Sequence, residues 1–185
     1  MRRGSLAALM MTLALLSGCG SGGEAEFEAL RAGVSAAAEV RLTAEVTADC
    51  GESVETYTLS CVSDADGSEV EVLAPELVAG VRARISSAGG ALVYEGLELS
   101  AGDLGAGLSP VSALPALLDA VRTAHLDAAW SEGGCTAVKL TPSDELEIVL
   151  RLDENGLPAR AELTERDSGR VLVTCLVTEF SMTQG

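Results

Sequence analysis

The chain has 185 residues; 48% are hydrophobic but only 3% aromatic, so any core is built from Ala, Val and Leu rather than rings. Twelve basic residues stand against 28 acidic ones, a net charge of −16. That excludes nucleic-acid binding, which runs on clustered Lys and Arg, while a mean hydropathy of +0.30 excludes a disordered chain.

The first residues read as an export signal. Arg2 and Arg3 form a positive start, and Leu6 to Leu16 an apolar run interrupted only by Thr12. The run is too short to span a bilayer. It ends in Leu16-Ser17-Gly18-Cys19, which resembles a bacterial lipobox, an aliphatic residue and two small ones before the cysteine that takes the lipid. The expected division is a lipoprotein signal over 1–18, a flexible tether over 19–26 that includes Gly20-Ser21-Gly22-Gly23, and one domain over 27–185. Cleavage before Cys19 would remove Arg2 and Arg3 and leave the remainder more acidic still. An anionic leaflet attracts basic segments by about 1 kcal/mol per charge, and none stands near Cys19. The lipid itself must therefore anchor the chain, to the outer face of the cytoplasmic membrane or, where an outer membrane exists, on its periplasmic side.

Cys50, Cys61, Cys135 and Cys175 remain. An even number in an exported domain points to two disulfides with three possible pairings. A Cys50–Cys61 bridge is disfavoured. With a turn at Cys50-Gly51-Glu52, Cys61 falls about 30 Å down the next strand, and a bridge needs Cα atoms within about 7 Å. Pairing across the two halves of the chain is favoured, with intermolecular bridges left open. With no CxxC and one histidine, neither a metal site nor a cofactor is expected.

Along the domain, Phe27, Leu30 and Val34 in 24–37 follow helical spacing, with acids in the first turn. From residue 39 the period becomes two: Val40, Leu42, Ala44, Val46 and Ala48 alternate with charged residues and threonines. Further strands are expected at 53–62, 69–74, 81–86, 91–98, 145–152, 159–165 and 170–180. Turn signals separate them at Asp64-Ala65-Asp66-Gly67, Ala88-Gly89-Gly90, Asn155-Gly156 and Asp167-Ser168-Gly169. In 109–124 a short turn precedes a helix expected from Pro115, with Leu114, Leu117, Leu118 and Val121 as its stripe. The sum is an α+β fold of eight or nine antiparallel strands, a curved sheet with one charged face and two or three helices over the other.

Catalytic patterns are thin. His125 has no GxSxG partner, and Gly102, Gly105 and Gly107 do not make GxGxxG. Asp64-Ala65-Asp66-Gly67 opens like a calcium loop but has its glycine at the wrong position. Glu145 and Glu147 share a strand face, but the solvated one. What is left is the inner apolar surface, which is either a filled core or a cavity for an acyl chain. Its candidate lining is Val40, Leu42, Val46, Val72, Val81, Ile85, Leu117, Val121, Ile148, Leu150, Leu172 and Leu176, with the 115–124 helix as a lid.

Four segments carry a resemblance: Ala74-Pro75-Glu76-Leu77-Val78-Ala79-Gly80-Val81, Leu92-Val93-Tyr94-Glu95-Gly96, Leu108-Ser109-Pro110 through Leu114-Pro115, and Glu179-Phe180. Over most of 27–180 the chain resembles the LolA-like lipoproteins of spore-forming Gram-positive bacteria. The resemblance implies an open antiparallel half-barrel closed over by helices, and lipid or lipoprotein handling or partner assembly at the cell envelope, without catalysis. The chain departs from the soluble carriers of that superfamily in its own anchor and in its few rings. Two expectations follow: a membrane-anchored protein binding a lipid or acyl chain in the half-barrel, or a non-catalytic interaction protein that positions an envelope or spore-cortex enzyme.

Overall fold

Side-chain alternation at period two, broken at turn residues, builds one sheet here, and two helices fill its hollow. The structure is a computed structural model, described over residues 21–86, 89–102 and 107–185. The expected signal segment and Cys19 lie outside those residues, as does part of the Ala88-Gly89-Gly90 turn.

In chain order the elements are α1 (Ser21–Ala36), β1 (Ala37–Asp49), β2 (Val54–Ser63), β3 (Ser68–Ala74), a 3-10 turn (Glu76–Val78), β4 (Arg82–Ser86), β5 (Gly89–Tyr94) and β6 (Leu97–Gly102). Then follow α2 (Pro110–Thr123), β7 (His125–Glu132), β8 (Cys135–Thr141), β9 (Leu146–Leu152), β10 (Pro158–Glu165) and β11 (Arg170–Gln184). The strands form one 11-stranded sheet in the order β6-β5-β4-β3-β2-β1-β11-β10-β9-β8-β7. Every described pairing is antiparallel.

The sheet is open and strongly curved. α2 packs on β4, β3, β2, β1, β11 and β8, and from β4 to β8 a flat sheet would extend about 34 Å at the usual strand spacing. A 14-residue helix is about 21 Å long and about 10–12 Å across, so one helix touches all six strands only if the sheet curls around it. This is the half-barrel that the resemblance implies.

Register carries one apolar face across the sheet. Leu42 stands opposite Phe180 on one side and Cys61 on the other, and the row continues through Val70, Ala83, Leu92 and Leu99. The stripes of α1 (Phe27, Leu30, Val34) and α2 (Leu114, Leu117, Leu118, Val121) are buried against this face. Arg31 ties the helices together: its Nε donates to the Val121 carbonyl at 2.9 Å and its Nη2 to that of Ala124 at 2.7 Å.

Several expectations need correction. Among the described residues there are eleven strands rather than eight or nine. The single strand expected at 91–98 is two, β5 and β6, joined through Glu95 and Gly96 at φ 47° and 82°. A type I′ hairpin turn requires positive φ at both positions, and glutamate does not announce one. The Ala-rich segment 125–141 lacks clean alternation, yet Gly133 and Gly134 turn it into a β7–β8 hairpin. α2 starts at Pro110, not Pro115. Pro110 suits the first turn, and the Ser112 hydroxyl accepts the backbone N–H groups of Ser109 and Gly107. α1 begins inside the segment expected as tether, because Glu26 reaches Thr136 and Gly23 packs beside Thr136 and Ala129.

On β11 one of the two expected inner residues, Leu176, is out of phase. Val173, Cys175 and Val177 oppose Ala48, Val46 and Ala44 on the inner face. Leu176 lies on the outer face, 50% exposed, whereas Leu172, at a bulge between the Val173–Leu163 and Val171–Thr164 pairs, is half-buried and packs against the core as expected. The stretch Leu172–Val177 carries apolar residues at both parities, so a period of two does not choose between faces. Beyond it a bulge between Thr43 and Ala44 skips Thr178, and the inner row resumes at Phe180 and Met182.

Candidate functional site

Most of the expected cavity lining is core. Val40, Leu42, Val46, Val72, Leu117, Val121, Ile148 and Leu150 are at most 4% exposed and belong to one contiguous apolar cluster with both helix stripes. α2 is likewise part of that core: eight of its residues are buried, which leaves no separable lid. Val81 and Ile85 are half-buried, and Ile85 lines an opening.

That opening is a cleft of about 620 Å³, within the usual range of ligand sites. The β2–β3 turn (Ser63–Ser68) and the end of β4 (Ile85, Ser86) frame one side, Gly107 and α2 the floor, and Pro142, Ser143 and Leu146 the other side. The turn is shaped by Asp64, whose Oδ1 accepts the N–H of Asp66 at 2.8 Å and of Gly67 at 3.2 Å. Gly67 has φ 146°, and a Cβ there would lie 2.4 Å from the Ile85 carbonyl oxygen, so only glycine lets the turn sit against β4. The calcium-like motif is thus a turn. No group of three metal-binding side chains occurs among the described residues.

Ile85, Pro115, Ala116 and Leu146 give the cleft an apolar wall. Its polar end is built by Arg122 in the last turn of α2. One guanidinium nitrogen donates to Ser63 Oγ at 3.1 Å, and Ser68 Oγ donates to the same oxygen at 3.0 Å. Behind them sits Cys61, whose thiol is pushed up to about 12 by burial, against the opposing pull of Arg122 and Ser68. It is neutral and unreactive at physiological pH. Sequence reasoning missed Arg122; it sits on a helix otherwise legible only through its apolar stripe, and its contacts come from residues about sixty positions away.

The other candidates are dispersed. All four cysteines in the described chain are free thiols, Cys50 and Cys135 exposed, Cys61 and Cys175 buried. The expected disulfides are therefore absent among the described residues, and for the buried pair register explains it. Cys61 faces Leu42 on one side of β1 and Cys175 faces Val46 on the other, so two strand spacings and four residues along β1 separate them. His125 is 81% exposed at the side chain and pairs only with Asp127 at 3.8 Å. Glu147 is bound to Lys139 at 2.6 Å. The outer face is laced by further cross-strand pairs such as Arg84–Glu69 and Arg151–Glu162, which solvent screens. No arrangement of nucleophile, base and orienting group emerges among the described residues.

No family model matches the chain, and no curated protein does. Solved structures do. A DUF1329 family protein from Desulfovibrio piger is 12% identical with a TM-score of 0.51, over 86% of this chain and 92% of that one. An uncharacterized conserved protein from Thermus thermophilus is 16% identical with a TM-score of 0.51, over 88% and 89%. The likeness is one of fold. A LolA superfamily protein from Nitrosomonas europaea is 11% identical at a TM-score of 0.47, over 88% and 94%.

Proposed function

We propose that this is a non-catalytic binding protein of the cell envelope, a LolA-like lipoprotein of a spore-forming Gram-positive bacterium, that holds an acyl chain in the cleft beside α2. The cleft carries this reading. In a half-barrel whose centre is packed, half-buried Ile85 and Ala116 open onto the cleft above Pro115 and Leu146 of the core. The anchor is a lipid on Cys19, since two acyl chains hold a protein firmly where one does not. A Cys19→Ala chain takes up no palmitate analogue in cells; labelling equal to wild type would refute the anchor.

The binding test is Ile85→Asp in the full-length protein, purified alongside a detergent-matched control lipoprotein. Because Ile85 is half-buried at the rim, the variant stays folded. Mass spectrometry of organic extracts finds a stoichiometric lipid in the wild type that the variant loses. Unchanged lipid in a folded variant would sink the reading. Leu150→Asp offers no such test, because it places a carboxylate in the sealed core.

The partner-positioning alternative has one observation in its favour. β6 is an edge strand with Leu97 72% and Leu99 67% exposed, and such edges accept an added strand. A folded wild type without lipid would move the assignment there.

A further inference from the structure

Charge complementarity in the cleft is specific. Every arginine and lysine among the described residues except Arg122 lies within 3.9 Å of a carboxylate. In a chain of net charge −16, one unneutralised guanidinium in a cleft stands out. It is held at 3.1 Å from Ser63 Oγ, and Ser63 is 2% exposed, so the cation is set against a fixed, buried hydroxyl. Asp119 and Asp66 line the same cleft, and neither carboxylate belongs to a described ion pair. Asp64 is there too, with Oδ1 committed to the turn.

This pattern discriminates among headgroups. A purely anionic group at Arg122 would meet three carboxylates around one cation. A purely cationic group at the carboxylates would meet Arg122. A group carrying both charges satisfies both: its phosphate accepts from the guanidinium, which matches phosphate geometry well, and its primary ammonium donates to Asp119 and Asp66. A quaternary ammonium has no N–H to donate. The cleft volume of about 620 Å³ suits one headgroup and the first part of one chain, which would run along Ile85, Ala116 and Leu146.

We propose that the cleft selects a phospholipid with an ethanolamine-type zwitterionic headgroup, with Arg122 binding the phosphate and Asp119 with Asp66 the ammonium. The inference rests on the acyl-chain reading of the same cleft, and the experiment separates the two. Full-length protein is reconstituted in phosphatidylcholine vesicles doped at equal mole fraction with phosphatidylethanolamine, phosphatidylglycerol or phosphatidylcholine bearing a photoactivatable chain. After irradiation, adducts are mapped by peptide mass spectrometry to Ile85 and to 115–119.

The ethanolamine lipid labels the cleft about tenfold more than either other lipid, the factor expected of one charge-assisted contact. Arg122→Gln lowers its labelling by a similar factor. Asp119→Asn, at an exposed position where folding is not at stake, brings the ethanolamine lipid down toward the choline lipid. Equal cleft labelling by all three lipids, or a preference untouched by Asp119→Asn, would overturn the headgroup assignment and leave the acyl-chain reading standing. No cleft labelling by any of them would overturn both.

Discussion

Arg31 shows how much one side chain decides in this fold. It projects from α1 over the Phe27 ring, 4.6 Å from its centroid, and ends on two carbonyls at the C-terminus of α2. The last carbonyls of a helix lack partners within it and carry the negative end of its dipole. A cation there satisfies both needs. Glu28, which pairs with Arg31 at 3.0 Å on the exposed side, adds little, as surface pairs do. Arg31→Met keeps the packing on Phe27 but strands the α2 carbonyls, and it lowers stability by about 2 kcal/mol. Glu28→Gln changes it by about 0.5 kcal/mol or less. Denaturant unfolding of the two variants checks the ranking; equal losses would mean that the link between the helices contributes nothing.

At the scale of elements, legibility followed whether a segment's two faces differ. β1 was readable to within two residues because Val40 to Ala48 alternate with charges and threonines, and the stripes of both helices were readable for the same reason at period 3.6. β11 was not, since Leu172 to Val177 is apolar at both parities and only its pairing with β1 selects Val173 and Cys175 as inner. The β5–β6 turn was hidden by a glutamate at positive φ, and the β7–β8 hairpin by alanines that give little contrast. The start of α1 was hidden because Ser21, Gly22 and Gly23 have the composition of a linker. Contacts of Gly23 and Glu26 with β8 outweigh that propensity, as tertiary packing often does. The candidate site was legible only at Ile85 and the Asp64–Gly67 turn. Its polar half joins the end of α2 to the β2–β3 turn, and no local pattern marks two segments that only the curvature of the sheet brings together.

At the scale of the whole molecule, the question is what holds an 11-stranded open sheet in shape without covalent links. The four described cysteines are free: Cys50 and Cys135 are exposed, while Cys61 and Cys175 are inner-face side chains within the apolar cluster. There the two buried thiols act as small hydrophobes, and burial pushes both up to about 12. Stability therefore comes from the helices packed inside the curl, and reduction should not alter it. Thiolate is the species that alkylates. At pH 8 native protein treated with iodoacetamide takes up label at Cys50 and Cys135 only. The buried pair stays unlabelled both because it is neutral and because it is enclosed, and in denaturant without any reductant all four react. Peptide mass spectrometry reads the two counts. Thiols that label in denaturant only after reduction would mean bridged cysteines, and a sheet drawn together more tightly than this register allows.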